Sequence, residues 1–455
     1  MGDNPANSSL SCLANRHRCS GNSVLGLRPA TTNIAPGEVQ IFCHEQTDEL
    51  VLMTKLRDGT IRFARLPLNM GPPAVGFDFP QVGSEQTLSL ITTPNDLKIL
   101  TDLRPIYGMN YEPAPSDYTG LPAPPQYGDT DFNNSDFEGL WGTSLVVGTG
   151  TCPTTAARDD VGNMKSELGV NYLRSFNLNQ EAFRDHVTFG NYCNTKGMHI
   201  SWPLDFWVTS VTAPNWSSTL RALAINLIKV LGALPVTVAW RLGNELNGQV
   251  EACNIATVFK LVVDNDPSKH PVTSSHQLGF FPSMATLIKT EILKLDTGSS
   301  KTYENAYNNL WFQSVNIYPP QANPVSMATV NLELIINNTW PNSDFSNQPL
   351  LVTEYGTAEN VATETIQSDS IKAQAQFIKD QATNPAKPLF LGGCLFEYTN
   401  ELWKGGTQND LGINRFSGPF CTAKEPSQAA PNDIYRVDDL TKKIAYATYK
   451  AIVNP

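Results

Sequence analysis

Two glutamates close apolar runs in this chain: Glu245 ends Val-Ala-Trp-Arg-Leu-Gly-Asn-Glu (238–245), and Glu354 lies in Pro-Leu-Leu-Val-Thr-Glu-Tyr-Gly (349–356). A carboxylate at the end of a buried strand is costly to desolvate, and a pair of them suits a reaction that needs one carboxyl ionised and one protonated. Cleavage of a glycosidic bond with retention is such a reaction. It requires two carboxyl groups about 5 to 5.5 Å apart, one as nucleophile and the other as acid and then base. On this reading Glu354 attacks the anomeric carbon, Glu245 is the acid/base, and the Asn244 amide before it reaches the sugar 2-hydroxyl.

Other side chains fall where such a pair needs help. Arg174, closing the run Val-Asn-Tyr-Leu-Arg (170–174), can hold Glu354 ionised by a charge-assisted hydrogen bond, and the Tyr318 hydroxyl can orient it. Candidate sugar contacts are Asn110 and Tyr111, then Trp202, Asp205 and Trp207, then Glu397 and Trp403, the indoles offering flat faces for a sugar ring. Glu397 and Glu401 are also the nearest competitors for the catalytic roles. Each of these residues has a plainer use as a loop cap, an ion-pair partner or a piece of core, so their joint arrangement carries the reading.

The two glutamates are 109 residues apart, room for about two more strand and helix units between their own strands. Eight apolar runs follow residue 104, at 105–111, 170–176, 199–204, 236–241, 271–275, 312–317, 350–353 and 389–396. Helical patterns separate them, as where Leu220, Leu223, Leu227 and Leu231 recur at spacings of three and four. Helices are expected at 155–168, 180–196, 250–264, 283–296, 326–337 and 363–382, and one over 440–453 closes the chain. Alternation of this kind predicts an α/β chain folded as a (β/α)8 TIM barrel over 105–455, with Glu245 on the fourth strand and Glu354 on the seventh. Catalytic groups then gather at the C-terminal ends of the strands, and the long segment 112–154 lies on that face.

Ahead of the barrel, 1–23 reads as a polar tail and 24–104 as a small β domain. Short β runs at 39–43, 49–55, 60–66 and 86–92 support this, the second and third joined by a hairpin signal at Leu-Arg-Asp-Gly.

Composition narrows the partners. A net charge of −11 argues against nucleic acid, while 16% charged residues with abundant Asn, Ser, Thr, Tyr and Trp suit a neutral polysaccharide or oligosaccharide. No apolar stretch reaches the roughly 18 to 20 residues of a membrane span, and the N-terminal residues lack the basic and apolar regions of a signal peptide, so the expectation is a soluble chain that is cytosolic, exported by another route, or stripped of a leader with Met1 as an added start. The eight cysteines form no Cys-x-x-Cys or Cys/His cluster, so no metal and no cofactor is expected. Cys12 and Cys19 are close enough to form a small loop, with Cys43 as another partner. Sequons fall at Asn7, Asn133, Asn215 and Asn337.

Asn244-Glu245 and Thr353-Glu354-Tyr355-Gly356 resemble the signature pair of the clan A retaining glycoside hydrolases, which are (β/α)8 barrels. The resemblance implies Glu245 as acid/base, Glu354 as nucleophile, and Arg174 and Tyr318 in supporting positions. Within the clan, Gly-Met-Asn-Tyr-Glu-Pro (108–113), Leu-Gly-Val-Asn-Tyr-Leu-Arg (168–174) and Phe-Glu-Tyr-Thr-Asn-Glu-Leu-Trp-Lys (396–404) are most similar to families 17 and 72. That similarity implies action on β-1,3-glucan. It spans about 105–455 and stops short of the N-terminal β region. The expected activity is therefore hydrolysis of a β-glucan. Two alternatives stand beside it: transfer of the glycosyl group to another sugar, and glycan binding without catalysis.

Overall fold

A computed structural model describes residues 39–44, 49–55, 61–67, 97–112, 159–176, 178, 186–211, 218–359, 363–402, 404, 409–424 and 434–454. The long 113–158 segment, Trp403, Cys12, Cys19 and the sequons at Asn7, Asn133 and Asn215 lie outside the described residues, as does the β run expected at 86–92. The chain divides into two units, one comprising Met1–Leu90 with Thr212–Leu223 and the other Ile91–Val211 with Ala224–Pro455.

In the first unit, β1 (Val39–His44), β2 (Glu49–Lys55) and β3 (Ile61–Pro67) form an antiparallel sheet in the order β1-β2-β3. Val39 lies opposite Thr54, and Glu49 opposite Pro67. β2 and β3 pair antiparallel as the hairpin signal expects, while Leu-Arg-Asp-Gly itself (56–59) lies outside the described residues.

All eight strands expected in the second unit are present: β4 (Ile106–Asn110), β5 (Tyr172–Arg174), β6 (His199–Pro203), β7 (Thr237–Asn244), β8 (Val272–Gln277), β9 (Gln313–Asn316), β10 (Leu350–Tyr355) and β11 (Phe390–Leu395). They close in sequence order into one parallel barrel, β11 returning to β4 with Gly392 opposite Ile106. With helices between the strands, this is a (β/α)8 barrel. Closure depends on Gly392. Its φ of +134° is a conformation that side chains rarely adopt, and a Cβ there would stand 2.2 Å from the Ile106 carbonyl oxygen.

Leu100, on the short helix Lys98–Asp102, packs with Ile106, Tyr172, Val238, Phe312, Leu351 and Leu391. These residues come from the early parts of their strands, so the barrel floor is apolar. Above it the interior turns polar: Thr273 Oγ1 donates to the Phe312 carbonyl at 2.7 Å and lies 2.9 Å from Ser314 Oγ. Outside the barrel, Ala224, Ile228 and Leu231 are the buried stripe of helix Ser218–Gly232, while Leu223 and Leu227 are half-buried. The buried stripe thus keeps Leu220 and Leu231 of the leucine pattern and takes Ala224 and Ile228 in place of Leu223 and Leu227.

Elements that the periodicity did not announce also occur. Short helices cover Asp205–Ser210 and Thr302–Leu310, and an antiparallel hairpin of β12 (Asn414–Lys424) and β13 (Ile434–Lys442) precedes the final helix Ile444–Val453. Cys253 is disulfide-bonded, while Cys193 and Cys394 are buried free thiols. Among the described residues no helix is long and apolar enough to cross a membrane.

Candidate active site

Both glutamates stand at the C-terminal ends of barrel strands, and both strands lose regular pairing just there. The ladder between β7 and β8 slips between Arg241 and Asn244, and that between β10 and β9 slips between Val352 and Glu354. Such irregularities re-aim side chains at a barrel rim. Glu245 follows β7 with a φ of +56°, rare for a residue with a side chain, while its N–H donates to the Ser275 carbonyl at 2.8 Å. That strained backbone turns its carboxyl towards the mouth.

Glu354 is held at both oxygens. Arg174 Nη1 is 2.7 Å from Oε1, and the Tyr318 hydroxyl donates to Oε2 at 2.7 Å. Arg174 is fully buried and also donates to Asn110 Oδ1 at 2.5 Å and to Asn244 Oδ1 at 2.6 Å. Asn110 is oriented by its own amide, which donates to the carbonyls of Thr353, Cys394 and Leu395. Burial, and then the charge of Glu354, push the Tyr318 hydroxyl well above the usual phenol range, so it stays protonated as a donor.

Asn316 joins the two carboxyls, a role the sequence reading missed. Its Oδ1 accepts from Thr353 Oγ1 at 2.8 Å, which turns its amide nitrogen to Glu245 Oε1 at 2.9 Å and Asn244 Oδ1 at 3.0 Å. Asn244 Oδ1 therefore accepts twice, from Arg174 and Asn316, and its NH2 group is turned the other way. Burial raises the Glu245 carboxyl above its ordinary value and the nearby Glu354 charge adds to this, against the Asn316 hydrogen bond and Arg174. The arrangement thus separates two carboxyls, one favouring its proton and one held by a guanidinium and a hydroxyl. The only advance signal for Asn316 was its position at the end of β9, two residues before Tyr318.

Phe176 is shared by several cations. Arg174 lies 4.5 Å, Arg241 4.9 Å and Lys404 5.9 Å from its ring centroid. Its edge meets Phe396 at 6.0 Å, and Phe396 meets Tyr318 at 6.3 Å, so an aromatic wall supports the tyrosine. The peptide joining Phe396 to Glu397 is cis.

Several expected sugar contacts take other places. Trp202 faces the helical layer, packs on His186 and Phe189, and donates its indole N–H to Thr237 Oγ1 at 2.9 Å; its large apolar ring is core, not cleft. Trp207 is 1% exposed and packs against Phe206. Tyr111 is buried, its hydroxyl donating to Asp160 Oδ2 at 3.1 Å. Asn110 serves Arg174 and the strand carbonyls, and Asp205 accepts from Arg241 Nη2 at 2.5 Å. Burial lowers the Arg241 guanidinium to about 10, which leaves it charged at neutrality.

Glu397 and Glu401 group with Glu112, their carboxyl oxygens lying within 4.8 Å of one another. Lys404 Nζ sits 3.3 Å from Glu112 Oε2 and pairs with Glu401. Burial raises Glu397 to about 8 and Glu401 well above the carboxylate range, while the surrounding acids hold Lys404 charged despite its own burial. The cluster therefore balances its charge with protons and an internal ammonium.

No protein-family model matches the chain, and no curated relative matches it in sequence. Among solved structures, it is similar to a β-glucuronidase of Ruminococcus gnavus at 13% identity and a TM-score of 0.40, over 64% of this chain and 45% of that one. A plant β-glucan endohydrolase gives 18% identity and a TM-score of 0.42 over 56% and 91% of the two chains. The β-glucuronidase of Bifidobacterium dentium gives 15% and 0.38 over 66% and 44%. The chain thus spans less than half the length of these glucuronidases. At such identities and TM-scores the class of fold rests on the closed strand order itself.

Proposed function

We propose that the chain is a retaining glycoside hydrolase that cleaves a β-glucan by double displacement, with Glu354 as nucleophile and Glu245 as acid/base. The observation that carries this reading is the unequal treatment of the two rim carboxyls: Glu354 is gripped by Arg174 and Tyr318, while burial and a neighbouring charge favour a proton on Glu245.

In the first step Glu354 forms a bond to the anomeric carbon as the glycosidic C–O bond breaks. The Glu245 proton passes to the departing oxygen. In the second step Glu245, now ionised, takes a proton from water, whose oxygen bonds to the anomeric carbon and releases Glu354. The outward NH2 of Asn244 is the donor for the sugar 2-hydroxyl, where hydrogen bonds strengthen in the transition state. The β-1,3 linkage rests on the resemblance of 108–113, 168–174 and 396–404 to families 17 and 72.

Linkage-defined β-glucan oligosaccharides, incubated with wild type and Glu354→Gln and analysed by product length, test the proposal. Cleavage by wild type with a loss of several orders of magnitude in the variant supports it. Products longer than the substrate would assign transfer in place of hydrolysis. Near-normal activity in Glu354→Gln would remove Glu354 from its role, and binding without cleavage would leave a glycan-binding barrel.

A further inference from the structure

We infer that Phe280 is the platform for the sugar on the leaving-group side of the scissile bond, and for an acceptor sugar that takes its place. The inference rests on the glycosidase reading above. A general acid must lie beside the oxygen it protonates, so the departing sugar lies on the Glu245 side of the mouth. That side is formed by β7 and β8, which Glu245 touches directly through its N–H to the Ser275 carbonyl. Phe280 lies five residues beyond Ser275, in the loop leaving the C-terminal end of β8.

The loop is built to present it. The next residue, Phe281, is buried, its ring 6.1 Å from His276 and 6.4 Å from Phe345, and Ser283 Oγ donates to the Phe280 carbonyl at 2.8 Å. Phe281 has extended backbone angles (φ −85°, ψ 131°), so with its side chain turned inward the preceding one turns outward. Phe280 is 42% exposed, and every other aromatic residue whose burial is described is buried or half-buried. A single exposed aliphatic residue needs no explanation, but an aromatic ring on an anchored loop at the C-terminal end of the strand next to β7 is costly to leave in water. The C–H face of a pyranose is the surface that fits it. Gln277, exposed on the same strand end and opposite Asn316 in register, adds an amide for the hydroxyls of that sugar.

The test uses the full chain as wild type, Phe280→Ala and Phe280→Trp. Each is assayed on a β-linked glucan oligosaccharide and on the matching β-glycosyl fluoride, whose leaving group fills no sugar site. Loss of one stacking contact should lower the ratio of kcat/KM for oligosaccharide over fluoride by about three- to tenfold in Phe280→Ala, with recovery in Phe280→Trp. Transfer to an added acceptor sugar should fall in parallel. An unchanged ratio overturns the inference, as does an equal loss on both substrates that tryptophan fails to restore. A wild-type chain inert on both substrates would overturn the glycosidase reading itself, a result distinct from a failure at Phe280.

Discussion

Arg174→Met removes the one guanidinium that touches Glu354, Asn110 and Asn244 together, and it does so where the arginine is fully buried. Solvent screening gives no discount there, and breaking a buried pair by deleting one partner costs about 3 to 5 kcal/mol. Against a total stability of about 5 to 15 kcal/mol, that is a large part of the whole. With its cation gone, the Glu354 carboxyl keeps the Tyr318 hydroxyl but loses its counter-charge in a buried site. Urea unfolding of wild type and variant should therefore show a deficit of about 3 to 5 kcal/mol. Glu354→Gln in the Arg174→Met background should recover part of the loss, as a double-mutant cycle measures. A deficit below about 1 kcal/mol, or one unchanged by Glu354→Gln, would show that Arg174 is packing alone and refute the electrostatic argument.

Three further outcomes follow from the geometry. Tyr318→Phe deletes the hydrogen bond to Glu354 Oε2, and a bond to a charged group at about 1.5 to 3 kcal/mol predicts a fall of about ten- to a hundredfold in kcat/KM with the fold retained by circular dichroism. His276 is buried on β8 with neither ring nitrogen bonded, and burial lowers it to about 4 from an ordinary 6.5. Its folded pKa is thus depressed, so the unfolded chain takes up the proton first and stability is lost as pH falls from about 6.5 towards 4; urea titrations of His276→Phe should show a flatter acid limb. Gly392→Ala forces a Cβ against the Ile106 carbonyl, and the yield of folded protein should collapse, whereas Gly279→Ala, with open space around it, should behave as wild type.

The barrel was legible because its strands are buried on the inner and outer faces alike and so read as continuous apolar runs, each of the eight falling where a strand forms. The glutamate pair was legible for the opposite reason, as charge that interrupts such a run. Asn316 was not, since an asparagine two residues before a tyrosine looks like any strand-end amide until Thr353 and Glu245 come to either side of it. Trp202 and Trp207 were read as sugar platforms because indole is amphipathic. Their ring area drew them into the core, as it does for most large aromatics. Phe280 carried no signal at all, because only the burial of Phe281 beside it shows which of two adjacent phenylalanines faces water. Glu401, read as a competitor for the catalytic roles, is instead buried with Lys404 beside Glu112.

The hydrogen bonds that aim the two carboxyls also run from strand to strand. Asn110 on β4 reaches β10 and β11, Arg174 on β5 reaches β4, β7 and β10, and Asn316 on β9 reaches β7 and β10. The constellation is thus the keystone of the barrel's upper rim, tying β4, β5, β7, β9, β10 and β11 by side-chain bonds added to the backbone ladders. The hydrogen bonds on Glu354, on Glu245 Oε1 and on the Asn244 oxygen are made within the protein, so the carboxyls are preorganised and a ligand need not aim them. Substitutions within it will loosen the rim and blunt the chemistry together, and selection for one property is selection for the other.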